Sequence, residues 1–525
     1  MEQHSLLNSL QLTLPGGQGV PEYPPAEQVL PQFLQLFSSV GAQQAGSKAK
    51  AGMVRDLFAI LEAGDCQWLL GGCQGNSTLV VLRDLVVALS IHAALPQQEH
   101  EGGELPYKDS SYTAAADRAA DVSLVFQSIL DKVATAKGLE ELGCKVVDSA
   151  VGSFLHQVAG PMYIFAVTHG ADKPWSRPRT QSLAQELLES LLHVGGCQSV
   201  PEFLRGATED EEGWFTVVMQ CLKPELTKET WQRNPATKHV FSWTLQQVTR
   251  PWLGLHLEKV LPPSLLLSDD YRVENKILGV QCLHHIICNV PGADLCQFNR
   301  AQVVHHALSN HLYSKDAQLI QVVLPCLLDL LPILEKAPGQ PSHRLPSAVP
   351  SDKVLRLVLT HMEPEHQLAL RRVYAKNLPA FVERLGIQIA RHLKRLQRVI
   401  VGYLEVNDGP EETARLAMLE TLKRTIQHAW PRMTCHLAVL LEALLRLMWD
   451  TVTDQSSTPE PVIAALLQGA TECLLLLDRC SHGQVKVLLQ GVQLSCQDDR
   501  LKECLRKVEE EPAESFAPTE PKRKS

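Results

Sequence analysis

The distribution of apolar residues along the chain is typical of a succession of α-helices. Apolar positions recur every three to four residues, which is the spacing of one helix face. In the first third this spacing predicts helices at residues 52–70, 79–95, 113–137 and 139–158. No run alternates apolar and polar residues over a length that would indicate a strand. The pattern therefore predicts an all-α protein.

The second half of the chain repeats the helical spacing more regularly. Three apolar stripes are predicted: Val273, Ile277, Val280, His284 and Ile287; Ile389, Leu393, Leu396 and Ile400; and Leu416, Leu419, Leu422 and Ile426. Asp408-Gly-Pro-Glu-Glu412 predicts the start of the last of these helices, with Pro410 in its first turn and acids near the positive end of the helix dipole.

Proline- and glycine-containing breaks divide these helices. Breaks are predicted at Gly160-Pro161, Pro262-Pro263, Pro291-Gly292 and at residues 336–352, 407–410 and 453–461. The intervals are mostly roughly 40–50 residues, the length of HEAT and armadillo repeats. We therefore predict an all-α, degenerate HEAT- or armadillo-like solenoid. Its regions are an N-terminal helical region at 1–159, a repeat region at 160–508 and a disordered charged tail at 509–525.

Composition supports this fold and narrows the function. Apolar residues make up 45% of the chain but aromatic residues only 5%, which suits packed helices. The net charge of −9 argues against direct nucleic-acid binding. The apolar stretch 322–334 is interrupted by Asp329 and two prolines and is expected to be too short for a membrane span. Without a recognisable signal segment, the 14 cysteines are expected to be free thiols, with Cys288, Cys326 and Cys473 buried.

The chemistry-bearing residues do not form an enzyme motif. The sequence has no Gly-x-Ser-x-Gly elbow and no His-Glu-x-x-His. Histidines and cysteines cluster on two predicted helices, at Cys282, His284, His285 and Cys288 and at His305, His306 and His311. Because structural zinc sites usually contain tight Cys-x-x-Cys pairs, we expect core residues here, with no metal and no cofactor.

Two surface features are candidate partner-binding sites. The first is a basic stretch: Arg384, Arg391, His392, Lys394, Arg395 and Arg398. Within it Arg391, Arg395 and Arg398 are predicted opposite the apolar stripe. The alternatives for this face are a solvated surface, a contact for an acidic protein, and a site for nucleic acid or phosphoinositide. The second feature is Asp269, Asp270, Tyr271 and Glu274, where helix capping is the alternative explanation.

Several long strings resemble the Tel-two-interacting protein two family. They are His239–Leu253, Ser268–Gly279, Thr360–His366, Asn377–Val382 and Val401–Glu405, within a resemblance that extends from about residue 160 to 481. The resemblance implies a non-catalytic subunit of the Triple T cochaperone complex, with Tel-two and Tel-two-interacting protein one as partners.

The resemblance also implies clients and a location. The complex would act with the ninety-kilodalton heat-shock chaperone and its Rvb-containing adaptor. Its clients would be phosphatidylinositol-3-kinase-related kinases, namely ATM, ATR, mTOR, the DNA-dependent kinase and the nonsense-mediated-decay kinase. We expect a cytoplasmic and nuclear protein, with Lys522-Arg523-Lys524 either an import signal or a solvated tail. The alternative function is another helical-repeat adaptor, such as a transport receptor or a phosphatase scaffold.

The first of these strings contains two tryptophans. Trp243 and Trp252 flank Arg250-Pro251, and Pro251 is expected to end or kink a helix because it lacks an amide donor. We expect both rings to anchor packing near this point. A partner hot spot is the alternative, because tryptophan and arginine are enriched in such sites.

Overall fold

The chain folds into helices joined by short loops. The computed structural model describes residues 26–40, 44–70, 76–96, 109–140, 145–206, 213–336, 349–453, 458–495 and 498–511, and these residues contain no strand. The predicted all-α class is confirmed. The chain divides into two compact units, Met1–Pro263 and Ser264–Ser525.

The first unit contains ten helices among its described residues and part of an eleventh. They are α1 Ala26–Ser39, α2 Gln44–Ala63, α3 Cys66–Leu70, α4 Asn76–Ala93, α5 Asp109–Glu140, α6 Lys145–Gly170, α7 Pro178–Val194, α8 Val200–Arg205, α9 Phe215–Leu222, α10 Pro235–Gln247 and α11 Leu257–Ser268. Helix α4 packs on α1 and α6, while α5 packs on α2 and α7. Each helix therefore covers its apolar stripe with near neighbours in sequence, as in helical repeats.

The second unit repeats this arrangement. Its further helices are α12 Val273–Asn289, α13 Gly292–Cys296, α14 Arg300–His311, α15 Ala317–Glu335, α16 Pro350–Met362, α17 Leu368–Leu385, α18 Leu393–Leu404, α19 Thr413–Met433, α20 Leu437–Thr453, α21 Glu460–Cys480, α22 Gln484–Ser495 and α23 Asp499–Glu510. Helices α15, α17, α19 and α21 pack in series as one layer, and α16, α18 and α20 pack in series as a second. This two-layer stacking is that of a degenerate HEAT-like solenoid.

Several prolines that were predicted to break helices lie inside them. Pro161 is inside α6, and Pro262 and Pro263 are inside α11. Pro325 and Pro332, where no break was predicted, are likewise inside α15. A proline within a helix removes one hydrogen bond and costs about 3 kcal/mol. Burial of several apolar side chains along α15 offsets that cost, because each contributes roughly 1.5–3 kcal/mol. The predicted breaks at 160–161 and 262–263 are therefore wrong.

Two described helices are long and apolar enough to cross a membrane. They are α15 and α21, and half of the most apolar window of α15 and 39% of that of α21 are buried within the protein. Core helices meet the same criteria of length and composition. The α15 stripe packs on α12, α14 and α17, which accounts for its hydropathy.

The start of α19 differs from the prediction. The helix begins at Thr413, so Pro410 lies before it rather than in its first turn, and Glu412 has a left-handed backbone with φ of 50°. Asp408 is nevertheless at the positive end of the helix, where its Oδ2 accepts a hydrogen bond from the Ala414 amide at 2.9 Å. The acid thus caps the helix as the pattern indicated, and the proline belongs to the preceding turn.

The buried faces agree with two of the three predicted stripes. Ile389, Leu393, Leu396 and Ile400 are all buried, and so are three of the four residues in the α19 stripe. In α12 the buried face is shifted: Gly279, Cys282, Leu283 and Ile286 are buried, whereas His284 is only half-buried. Cys326 and Cys473 are buried as expected, but Cys288 is exposed and that prediction is wrong. Helix α23 extends to Glu510, so residues 509–510 are helical, and 512–525 lie outside the described residues.

The core of the first unit contains an uncharged histidine that couples stability to pH. His169 is 2% exposed, and burial, aided by Arg118, lowers its pKa to about 4. The unfolded chain therefore binds more protons between pH 4 and 6.5. The stabilisation is complete above pH 6.5 and is lost as pH falls through that window.

We predict that acidification from pH 7 to pH 5 costs about 2 kcal/mol through His169 alone. His169→Phe should reduce the loss of unfolding free energy in urea titrations at the two pH values. His193→Phe, at an exposed histidine of α7, is the matched control and should retain the wild-type dependence. Equal pH dependence in wild type and His169→Phe would contradict the assignment.

Candidate partner-binding surfaces

Three of the six residues in the predicted basic stretch form hydrogen bonds with acidic side chains of the second unit. Arg384 forms an ion pair with Glu335, and the buried His392 ring contacts Asp352 with 2.6 Å between Nε2 and Oδ1. Arg395 donates two hydrogen bonds to the Glu363 carboxylate, one from Nε at 3.0 Å and one from Nη2 at 3.2 Å. These side chains fasten helices to one another, which the sequence did not indicate because their acidic partners lie 32 to 49 residues away.

The rest of the stretch forms an exposed surface. Arg391, Lys394 and Arg398 are exposed at the junction of a 3-10 turn, Gly386–Arg391, with α18. We call these three residues the basic strip. Arg398 approaches Glu363 at 3.4 Å, but 65% of its side chain is exposed. The hydrogen bond from Arg395 lowers the pKa of Glu363 below its usual range, so this carboxylate stays charged between the two arginines.

The second candidate feature is divided between interior and surface. Asp270 is buried and accepts a hydrogen bond from the Asn275 amide, so it holds the turn between α11 and α12. Asp269, Tyr271 and Glu274 are exposed, and the Tyr271 hydroxyl accepts a hydrogen bond from Arg272 Nε at 2.9 Å. Asp270 therefore has a structural role, and the other three residues remain candidates for a partner contact.

The family-like string 268–279 marks a close approach of two helices. The Ser268 hydroxyl is 2.8 Å from His311 Nε2 in the interior. Gly279 lies against the end of α11, where an added Cβ would be 2.2 Å from the Ser268 amide nitrogen. Real Cβ atoms do not approach backbone so closely. Glycine at 279 is therefore required by packing within the second unit.

The strings 360–366 and 401–405 contact each other through one buried arginine. Arg371 donates to the Glu365 carbonyl at 3.1 Å and to the Gly402 carbonyl at 3.0 Å, and its guanidinium lies 3.8 Å from the Tyr403 ring centroid. The Tyr403 hydroxyl in turn donates to the Met362 carbonyl at 3.4 Å. These contacts bind the loop after α16 to α18. Residues of both strings therefore have a structural role in the second unit.

The two tryptophans of the string 239–253 are half-buried in the first unit. The helix that contains Trp243 ends at Gln247, before the cis Arg250–Pro251 peptide, so Pro251 lies beyond the helix end. The Trp243 ring centroid is 6.2 Å from that of the buried Tyr163. The Trp252 ring stacks under Arg205, 4.7 Å from its guanidinium carbon. Both rings contact their own unit and also expose an edge.

Sequence reasoning missed an exposed aromatic on a left-handed turn. Phe298 and Asn299 have φ of 53° and 58°, and Phe298 is 82% exposed beneath the Arg300 guanidinium. A left-handed phenylalanine is uncommon, because its Cβ crowds the backbone. Asn299 was the available signal, since asparagine tolerates this conformation better than most residues.

A His-Cys-Asp group was also missed. His284 and Cys288 are one turn apart on α12, and Asp329 of α15 lies beside them, with 2.8 Å between His284 Nε2 and Asp329 Oδ2. The three donor atoms lie within 4.8 Å of one another, at the surface of the second unit. The sequence pairs the first two residues but gives no indication of the third, 41 residues further on.

These features define an all-α helical-repeat protein whose polar side chains link successive helices. Comparison with known proteins narrows the class. The Tti2 family model matches residues 163–410. TELO2-interacting protein 2 from Homo sapiens is 53% identical over 485 residues, which cover 91% of this chain and 93% of that protein. Its counterpart from Mus musculus is 48% identical and covers 94% of each. The chain belongs to the Tti2 family.

Solved structures resemble the chain more distantly. Yeast importin-beta (Kap95p) has a TM-score of 0.42 and 13% identity, covering 92% of this chain and 57% of that one. Another importin-beta structure has a TM-score of 0.40 and 12% identity, covering 92% and 69%. Likeness at this level carries no argument about function.

Substitution of two glycines in the family-like strings tests which of these positions is required by helix packing. Gly279→Ala should lower the unfolding free energy by about 1–3 kcal/mol, because its methyl group meets backbone atoms. Gly402→Ala is the matched control: it also lies inside a helix, but nothing lies within 4 Å of the added Cβ. It should leave stability unchanged or raise it by about 0.5–1 kcal/mol. Urea titration of both variants measures this, and equal stability would contradict the packing explanation.

Trp243→Ala should lower the unfolding free energy by about 1–3 kcal/mol, because a half-buried ring beside Tyr163 is lost. Thermal melting of the isolated chain measures the effect. An unchanged melting temperature together with lost partner binding would instead make Trp243 a hot spot.

Proposed function

We propose that this chain is a non-catalytic subunit of the Triple T cochaperone complex, bound to Tel-two and Tel-two-interacting protein one. In this role it helps the ninety-kilodalton heat-shock chaperone and its Rvb-containing adaptor to mature phosphatidylinositol-3-kinase-related kinases. The clients include ATM, ATR, mTOR and the DNA-dependent kinase, and the sites of action are the cytoplasm and the nucleus. The complex thereby supports the DNA-damage response and growth signalling.

One observation carries the proposal: relatives at about half identity over more than nine-tenths of the chain bear a name that denotes binding to TELO2. The name describes an interaction rather than a reaction. The fold supports an interaction role, because a helical-repeat unit buries its core between neighbouring helices and leaves extended surfaces for partners. Membership of the Tti2 family also favours this role over that of a transport receptor or a phosphatase scaffold.

Affinity purification tests the proposal directly. The tagged full-length chain, expressed at its natural level, should co-purify Tel-two and Tel-two-interacting protein one in comparable amounts. Depletion of the chain should lower the protein level of several of the kinases at unchanged messenger RNA, and re-expression should restore it. Recovery of import cargo or a phosphatase in place of these two partners would contradict the proposal.

Within this function, the basic strip of Arg391, Lys394 and Arg398 is our preferred contact for Tel-two-interacting protein one. Its three cations are exposed in a chain whose net charge is −9, so they present a local positive field to an acidic partner. Arg395 was predicted as part of this surface. It is best left unchanged in a test, because its side chain holds Glu363 in place.

Reversal of all three strip residues to glutamate should weaken binding to Tel-two-interacting protein one by about tenfold or more at low salt. The difference should shrink at high salt, since screening shortens the range of charge interactions. The matched control is reversal of Arg500, Lys502 and Arg506, whose side chains are 57%, 44% and 62% exposed. Calorimetry with purified partner measures both. Wild-type affinity of the strip variant at low salt would remove this surface from consideration.

A further inference from the structure

We propose that His284, Cys288 and Asp329 form an open, three-ligand site for a zinc ion on the second unit. The proposal goes beyond the cochaperone role and does not depend on it. It departs from the expectation drawn from sequence, which treated the first two residues as core side chains and did not include the third.

The helix geometry assembles two of the donors. His284 and Cys288 are four residues apart on α12, so they lie one turn apart on the same face of the helix. The buried face of α12 runs through Gly279, Cys282 and Leu283, which leaves His284 at its border and Cys288 exposed. Both donors are therefore accessible to an ion from solvent, unlike Cys326, which is buried nearby.

The third donor comes from a different helix. Asp329 lies on α15, which packs on α12, and its Oδ2 is 2.8 Å from His284 Nε2 and 3.8 Å from Cys288 Sγ. A tetrahedral zinc ion with bonds of about 2.0–2.3 Å places its ligand atoms roughly 3.3–3.7 Å apart. The two observed separations lie on either side of this range. All three donor atoms lie within 4.8 Å of one another, so rotation of these side chains can bring them to the distances that zinc requires.

The chemistry of the donors selects the metal. A thiolate, an imidazole and a carboxylate suit zinc and other borderline divalent ions, whereas calcium and magnesium prefer oxygen ligands alone. On binding, the Cys288 thiol loses its proton to the buffer, and the imidazole takes the tautomer protonated on Nδ1, so that the Nε2 lone pair becomes available to the ion. The fourth position faces solvent. The ion would join α12 to α15, so zinc should stabilise this unit.

Metal titration of the full-length chain tests the site. The reduced, chelator-stripped protein is titrated with zinc against a chromophoric chelator and, separately, with cobalt. Wild type should bind one zinc ion and show a thiolate-to-cobalt charge-transfer band. Cys288→Ser should abolish the band and weaken zinc binding by at least about tenfold, and Asp329→Asn should weaken it to a similar extent. Cys435→Ser, at another exposed cysteine of the same unit, should behave as wild type.

A second measurement requires no variant. Zinc should slow alkylation of Cys288 by iodoacetamide in the wild-type chain and leave Cys435 unaffected, as followed by peptide mass spectrometry. The proposal is overturned if Cys288→Ser binds zinc as tightly as Cys435→Ser, or if zinc leaves the alkylation rate of Cys288 unchanged.

Discussion

The whole structure depends on the burial of one-sided apolar stripes between helices that are close in sequence. A helix with a single apolar stripe cannot cover it alone, and most of its stability comes from the helices that pack on it. Helix α19 illustrates this, since it packs on α17 on one side and on α21 on the other. Because the described helices cover their stripes locally, their outer faces and ends remain available, and these are the parts that the proposed function requires.

Polar contacts then fix how successive helices are placed. Arg371 joins the loop after α16 to α18, and Arg372 binds Asp408, whose carboxylate also caps α19. Apolar stripes tolerate some sliding, whereas a buried arginine or aspartate must find its partner at one position. Removal of Arg372 leaves the buried Asp408 carboxylate without its ion pair, which costs roughly 3–5 kcal/mol. These pairs therefore define the register of the array more strictly than the stripes do.

Features that arise within one helix could be predicted from the sequence, whereas contacts between helices could not. The stripe from Ile389 to Ile400 was predicted because its spacing is local. The helix through Pro262 and Pro263 was not, because the apolar side chains that α11 buries outweigh the local effect of the two prolines. The pairing of Arg395 with Glu363 and the meeting of Cys288 with Asp329 bring together residues 32 and 41 positions apart. No spacing along the chain encodes such meetings, so the basic stretch looked more exposed than it is.

This difference changes how the family-like strings bear on partner binding. If every residue of a string contacted a partner, few of its side chains would be needed inside the chain. Yet Gly279, Asp270 and Tyr403 are all used within the second unit. The family-like strings therefore locate helix-to-helix contacts first. The informative positions are those in the strings that packing leaves at the surface. Tyr271, 65% exposed in the turn before α12, is one. Because an exposed aromatic there gains little from the core, we propose Tyr271 as the position of this string that contacts a partner.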